Sequence, residues 1–80
     1  MAPARKEPDL NTYSGRCGAR LRVLRERAGL SVDQVASELG VTRRAVYHWE
    51  SGASEPKLDY LPLLARLFGL RSPRDVLSRE

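Results

Sequence analysis

Apolar side chains recur every three or four residues along most of the chain, which is the spacing of one face of an α-helix. The first stripe predicts a helix that Ser14 caps and that Gly29 ends. Its inward positions are Cys17, Leu21, Leu24 and Ala28. No stretch alternates strictly between apolar and polar residues over five or more positions, so no β-strand is predicted.

Two further helices are predicted on either side of Gly40. The second begins after Ser31 and the third after Thr42, because a hydroxyl at each position can accept a hydrogen bond from a free backbone amide. Gly40 can adopt the positive φ that reverses the chain between them. The shared apolar face consists of Val35, Ala36, Leu39, Val46 and Trp49. The pattern therefore predicts a helix-turn-helix unit, in which the small Ala36 lets the two backbones approach.

The last third of the chain predicts a fourth and a fifth helix. Pro62 lacks the amide that a helix interior needs, so we expect Asp59 to cap a helix that begins near Tyr60 and ends at Gly69. The run Ser-Pro-Arg-Asp at residues 72–75 predicts a short fifth helix with an acid reaching back to its start. The predicted fold is all-α, a compact bundle of five short helices that contains the helix-turn-helix.

Residues 1–13 contain two prolines and charges of both signs without a helical or strand period. We therefore expect a flexible N-terminal arm at 1–13 and one domain over residues 14–80. The 80 residues include 14 Lys and Arg against 10 Asp and Glu, which gives a net charge of +4. That excess favours a polyanionic partner.

Composition also excludes several classes of function. One cysteine and one histidine can form neither an internal disulfide nor a structural zinc site. Cys17 lies on an inward stripe and His48 on an outward face, so they are not expected to meet as nucleophile and base. No apolar run approaches the roughly 18 residues of a membrane span, and the first residues lack the charged-then-apolar pattern of a leader, so we expect neither a span nor a leader. We expect a cytoplasmic protein that is not an enzyme, with no catalytic residue, metal, cofactor, membrane partner or small-molecule substrate.

The stretch from Leu21 to Leu70 resembles the Cro/repressor class of bacterial and phage DNA-binding domains, often called the Xre family, whose fold is lambda-repressor-like. The likeness extends over residues 17–77. The residues that carry it, in order, are Arg25, Ala36, Gly40, Val41, Trp49, Glu50, Gly52 and Pro56. The resemblance implies a small transcriptional repressor that binds double-stranded DNA sequence-specifically, with the third helix, about residues 43–50, in the major groove.

The resemblance also implies roles for single residues. Base contacts are expected from Arg43, Arg44, Ala45 and His48, and phosphate contacts from Ser31, Thr42, Tyr47 and Lys57. Arg44 is the first choice for base contact because a guanidinium can span O6 and N7 of guanine. For Arg43 and His48 a backbone contact is the alternative, and a pair of arginines at a helix start can also be plain solvated surface. An ion pair between Arg25 and Glu50 is implied as well.

One position departs from the family pattern. Most relatives have a glutamine directly after the cap of the second helix, whereas this chain has Val32 there. Phosphate binding at this helix is therefore expected from backbone amides and the positive helix end, with the Ser31 hydroxyl.

The fourth helix carries a second apolar line, Tyr60, Leu63, Leu67 and Leu70. It predicts either a two-fold dimer interface, which we favour, or a cover that Leu67 and Leu70 form over the core with Val76 and Leu77. The alternative function is an antitoxin or protein-interaction module that neutralises a toxin or other regulatory protein and represses its own operon. We expect a bacterial or phage-encoded protein that associates with the nucleoid when bound.

Overall fold

The computed structural model describes residues 7–77, and this part of the chain is all-α without a strand. It contains four α-helices, α1 (Tyr13–Arg27), α2 (Val32–Leu39), α3 (Arg43–Ser51) and α4 (Leu61–Leu67), and two 3-10 segments, Leu58–Tyr60 and Pro73–Val76. The all-α class is confirmed. Residues 1–6 of the arm predicted for residues 1–13 lie outside the described part of the chain, and the boundary between arm and domain stays a prediction. None of the helices in residues 7–77 has the length and apolar character of a membrane span.

The helix α1 begins earlier than predicted, because Thr12 caps it and Ser14 does not. The Thr12 hydroxyl accepts a hydrogen bond from the Gly15 amide at 3.0 Å. A turn fixes Thr12 in this position, since its amide and its hydroxyl both donate to the Asp9 carbonyl, at 3.1 and 2.9 Å. Ser14 lies inside the helix, and its hydroxyl donates to Glu55 at 3.0 Å. Two hydroxyl residues two positions apart offer the same cap in sequence, and the upstream turn decides between them.

The start of α4 also differs from the prediction. Asp59 caps no helix, because it lies within the 3-10 segment Leu58–Tyr60 that leads directly into α4. The helix begins at Leu61 without a side-chain cap, and Pro62 lies in its first turn. The missing amide of Pro62 costs nothing there, since first-turn amides have no partner within the helix.

The predicted fifth helix is only a 3-10 segment, Pro73–Val76, and no side-chain cap forms at Ser72. The segment thus lacks the predicted capping box, and the Asp75 backbone amide donates to the Ser72 carbonyl at 3.0 Å. The Asp75 carbonyl instead accepts a hydrogen bond from Arg20 of α1 at 2.8 Å. This tie to α1 and the burial of Val76 place the segment against the core.

The core lies where α1, the α2–α3 pair and α4 meet. Its fully buried large side chains are Leu64, Val35 and Val46, and the shared face of α2 and α3 is buried throughout. On α1, Leu21 and Leu24 are buried. Cys17 is only half-buried, and Ala28 is exposed because it follows the last residue of α1.

A glycine that sequence patterns did not single out brings α1 and α3 together. A Cβ atom on Gly18 would lie 2.5 Å from the Trp49 carbonyl oxygen and 2.6 Å from the Glu50 carbonyl oxygen. The backbones of α1 and α3 are therefore so close at Gly18 that a hydrogen atom fits between them and a methyl group does not. In sequence alone, a glycine inside a helix indicates only local weakness.

We expect Gly18→Ala to lower the free energy of unfolding by about 2 kcal/mol, measured by urea denaturation, because the new methyl group pushes α1 away from α3. Helix propensity acts in the opposite direction, by about 1 kcal/mol. The control is Ala19→Gly, which makes the opposite substitution at the next, half-buried residue of α1. Its effect on stability measures the contribution of helix propensity alone. A Gly18→Ala protein as stable as the wild type would contradict the close approach.

Candidate nucleic-acid interface

The start of α2 is fixed by a reciprocal pair of hydrogen bonds between Ser31 and Gln34. The Ser31 hydroxyl accepts from the Gln34 amide at 3.1 Å, and the Gln34 side-chain oxygen accepts from the Ser31 amide at 2.7 Å. This is a capping box, which occupies two of the free donors at the helix start. The side chain of Val32 points into the core and is buried. The position for which the family resemblance implies a glutamine therefore contributes only its backbone at the surface.

The turn between α2 and α3 depends on Gly40, which has φ +70° and ends α2. A Cβ atom there would meet nothing within 4 Å, so the requirement is for the backbone conformation and not for space. The amide of Val41 donates back to the Ala36 carbonyl at 3.0 Å and closes the turn. The Thr42 hydroxyl then accepts from the Ala45 amide at 3.1 Å, so that α3 begins at the next residue.

The helix α3 separates a buried face from a solvent face. Val46 and Trp49 are buried, whereas four polar side chains are exposed, those of Arg43, Arg44, Tyr47 and His48. Ala45 is half-buried and packs against the core. The structure thus brings three of the four residues predicted for base contact to one solvent-facing surface, and it turns Ala45 partly inward.

The two arginines at the start of α3 differ in their surroundings. The Arg43 Nε lies 2.8 Å from a carboxylate oxygen of Asp33 on α2. The side chain of Arg44 has no ion pair or hydrogen bond with any other residue of the described part of the chain. One cation is therefore locally neutralised, and its neighbour is not. Sequence reasoning missed Asp33, because a helix packing angle decides which residues of α2 face the start of α3.

Arg25 and Glu50 form a buried ion pair between α1 and α3. The Arg25 Nε lies 2.7 Å from one carboxylate oxygen and donates to it, and an Nη atom donates to the other at 3.2 Å. The remaining Nη donates to the Leu30 carbonyl at 2.9 Å. Hydrogen bonds to Glu50 raise the pKa of Arg25 above its ordinary value, while burial acts in the opposite direction. The Glu50 side chain is only 2% exposed, so its negative charge does not face a ligand.

The residues predicted for phosphate contact lie on the surface. Ser31, Thr42, Tyr47 and Lys57 are all exposed. The hydroxyls of Ser31 and Thr42 accept capping hydrogen bonds, which leaves their own O–H free to donate. Lys57 stands in the loop that follows α3, immediately before the first 3-10 segment. Within residues 7–77, no group of three His, Cys, Asp or Glu side chains is arranged to hold a metal ion.

The second apolar line of α4 does not form one exposed surface. The Tyr60 ring packs on Trp49, with ring centroids 5.6 Å apart and planes at 39°. Leu67 and Leu70 pack against the core, as do Val76 and Leu77. Leu63, at 43% exposure, is the member that faces solvent. This packing corresponds to the second of the two arrangements expected from sequence, and the dimer stays a prediction.

A family model for a helix-turn-helix domain matches residues 16–78. A Pyrobaculum aerophilum protein with the provisional name HTH-type transcriptional regulatory protein is 44% identical over 52 residues, which are 65% of this chain and 21% of that protein. A similarly named Thermococcus kodakarensis protein is 39% identical over 65 residues, 79% of this chain and 20% of the relative. A third relative, from Saccharolobus islandicus, is 43% identical over 49 residues, which are 61% of this chain and 16% of that protein. The chain thus spans about a fifth of the length of these relatives. The three relatives are archaeal, and a bacterial or phage source for this chain stays a prediction.

We expect the variants Arg25→Met and Glu50→Gln each to lose about 3 kcal/mol of unfolding free energy, because each leaves one buried charge without its partner. The double variant should lose less than the sum by about 1–3 kcal/mol. The measurement is a double-mutant cycle by urea denaturation.

The surface pair Arg22 and Glu26 on α1 is the matched control, with the Arg22 Nε 3.6 Å from a carboxylate oxygen of Glu26. Its cycle should give a coupling below about 1 kcal/mol. Strictly additive losses for Arg25 and Glu50 would show that the buried pair contributes no coupling.

Proposed function

Because the chain belongs to the helix-turn-helix domain family, we propose that it binds double-stranded DNA sequence-specifically and regulates transcription. Within that class we propose a lambda-repressor-like domain that acts as a repressor of the Xre type. The observation that carries the proposal is the exposed start of α3, where Arg43, Arg44 and, one turn later, His48 face solvent. A helix that is held by its apolar face and presents a basic face suits the major groove of duplex DNA.

Base recognition is proposed to rest first on Arg44. Its guanidinium has no partner within residues 7–77, so entering the groove breaks no described contact. A guanidinium that donates to O6 and N7 of guanine is worth about 1–3 kcal/mol against a wrong base. His48 lies one turn further along the same face and is proposed to contact the next bases or the backbone. Base contact by Ala45 stays a prediction, and its half-buried position leaves room for one methyl contact at most.

Phosphate contacts are proposed to position α3. The start of α2 supplies backbone amides and the Ser31 hydroxyl at the positive helix end, which suits an anion. Thr42 caps α3 and Tyr47 lies on its exposed face, and Lys57 is proposed to contact the duplex from the following loop. Contacts of this kind set orientation and affinity but carry no sequence information.

We propose that two copies bind paired half-sites about 34 Å apart, which is one turn of the double helix. Leu63 is the exposed apolar residue of α4 available to such a homodimer. Analytical ultracentrifugation at high protein concentration tests it, and a pure monomer would exclude a dimer in free solution. The alternative role as an antitoxin also stays a prediction, and co-purification of a second protein would support it.

The primary test is selection of bound duplexes from a random pool at a stated salt concentration. The expected result is an enriched motif that contains guanine, repeated with two-fold symmetry if the domain binds as a dimer. Recovery of unenriched sequences would contradict sequence-specific binding.

We expect Arg44→Ala to weaken binding to the selected duplex by about 1–3 kcal/mol and to remove the preference at one base position. Lys57→Ala should weaken binding to all duplexes alike, because a phosphate contact is independent of sequence. The measurement is fluorescence anisotropy with the selected duplex and with each single-base variant.

Arg66→Ala is the matched control, since Arg66 is exposed on α4 and its loss removes the same charge away from α3. Equal effects of Arg44→Ala on the selected and on a scrambled duplex would contradict the role in base contact.

We expect affinity to fall steeply with salt, with a slope of log K against log salt of about −0.9 for each phosphate neutralised. Titrations between about 50 and 200 mM salt measure the slope. Affinity that does not change over this range would be inconsistent with contacts to the phosphate backbone.

A further inference from the structure

The exposed ion pair between Asp33 of α2 and Arg43 of α3 spans the helix-turn-helix at its solvent face. The Arg43 Nε and a carboxylate oxygen of Asp33 are 2.8 Å apart, and the two side chains are 64% and 66% exposed. We infer that Asp33 is a specificity-determining residue, which neutralises Arg43 and so suppresses binding to non-cognate DNA. This inference rests on the proposed function.

The contribution of this pair to stability is small, because exposed ion pairs are worth about 0–1 kcal/mol. Its location matters more for the electrostatic potential at the starts of α2 and α3. Arg43 is the first residue of α3, where the positive helix end disfavours a cation, and Asp33 lies in the first turn of α2, where an anion is favoured. The carboxylate therefore offsets an unfavourable charge at the end of α3 that faces the duplex.

The neighbouring charges do not provide the same neutralisation. Around the shallow groove that Asp33 and Arg43 line, Arg25 is engaged by the buried Glu50, and Glu26 lies 3.6 Å from Arg22. Asp33 is thus the carboxylate that the structure pairs with Arg43. Arg44, one residue further on, has no such partner within residues 7–77.

This division of charge has a consequence for discrimination between sequences. Non-specific binding arises almost entirely from cations that neutralise phosphates and release counterions. An arginine that a carboxylate already neutralises adds little to that term. Base contact by Arg44 is unaffected, so Asp33 lowers affinity for random sequence more than affinity for the cognate site.

The test compares the wild type with Asp33→Asn on two probes, the duplex recovered by selection and a scrambled duplex of the same length and composition. For the scrambled duplex we expect affinity to rise about 5- to 10-fold at about 0.1 M salt, and the slope to steepen by about 0.9, because Arg43 is freed to neutralise one more phosphate. Affinity for the selected duplex should rise less, so the ratio of the two affinities falls.

Glu38→Gln is the matched control, because Glu38 is an exposed acid on the same helix and its loss changes the net charge equally. It should leave the slope and the affinity ratio unchanged. The urea midpoint of each variant confirms folding, and Asp33→Ser provides a second variant that must give the same result.

Repeating the Asp33→Asn substitution in an Arg43→Ala protein shows whether the effect of Asp33 on DNA affinity depends on Arg43. There Asp33→Asn should leave the slope unchanged, and a steeper slope would overturn the inference in favour of general repulsion between Asp33 and phosphate. If the wild type discriminates between the two duplexes but Asp33→Asn keeps the wild-type slope and ratio, the inference alone is wrong. If the wild type shows no salt-dependent duplex binding, the proposed function fails and the inference fails with it.

Discussion

The arrangement of this domain depends on one buried contact, the ion pair between Arg25 of α1 and Glu50 of α3. Moving a charge from water into the protein interior costs free energy, and a buried charge is tolerated only where a partner with good geometry accompanies it. Here the guanidinium contacts both carboxylate oxygens and also the Leu30 carbonyl before α2. One side chain thereby ties together the end of α1, the start of the helix-turn-helix and the far end of α3.

Gly18 makes this geometry possible. Its lack of a side chain lets the α1 backbone lie against the last turn of α3, where Trp49 and Glu50 expose their carbonyl oxygens to it. Trp49 is buried and packs against Tyr60, which extends the contact to the 3-10 segment before α4. Packing of the last turn of α3 against α1 and Tyr60 thus fixes the orientation of the whole helix, including its exposed start.

Local rules predicted the central part of the fold well and its ends less well. Ser31, Gly40 and Thr42 act on atoms within four residues of themselves, so their roles can be derived from sequence spacing. The cap at Thr12 depends on the preceding turn at Asp9, and the segment Pro73–Val76 depends on a hydrogen bond from Arg20, 55 residues away. Likewise the exposed basic face of α3 follows from periodicity, whereas the pairing of Asp33 with Arg43 requires the crossing of two helices in space.

The open surroundings of Gly40 separate two demands that a tight turn usually combines. Its φ of +70° disfavours ordinary L residues by about 1–2 kcal/mol on conformational grounds, yet the Cβ atom of such a residue would meet nothing within 4 Å. The constraint is therefore one of chirality. A D-alanine in a chemically synthesised chain would satisfy it while restricting the unfolded chain more than glycine does, which no genetically encoded substitution achieves at this turn.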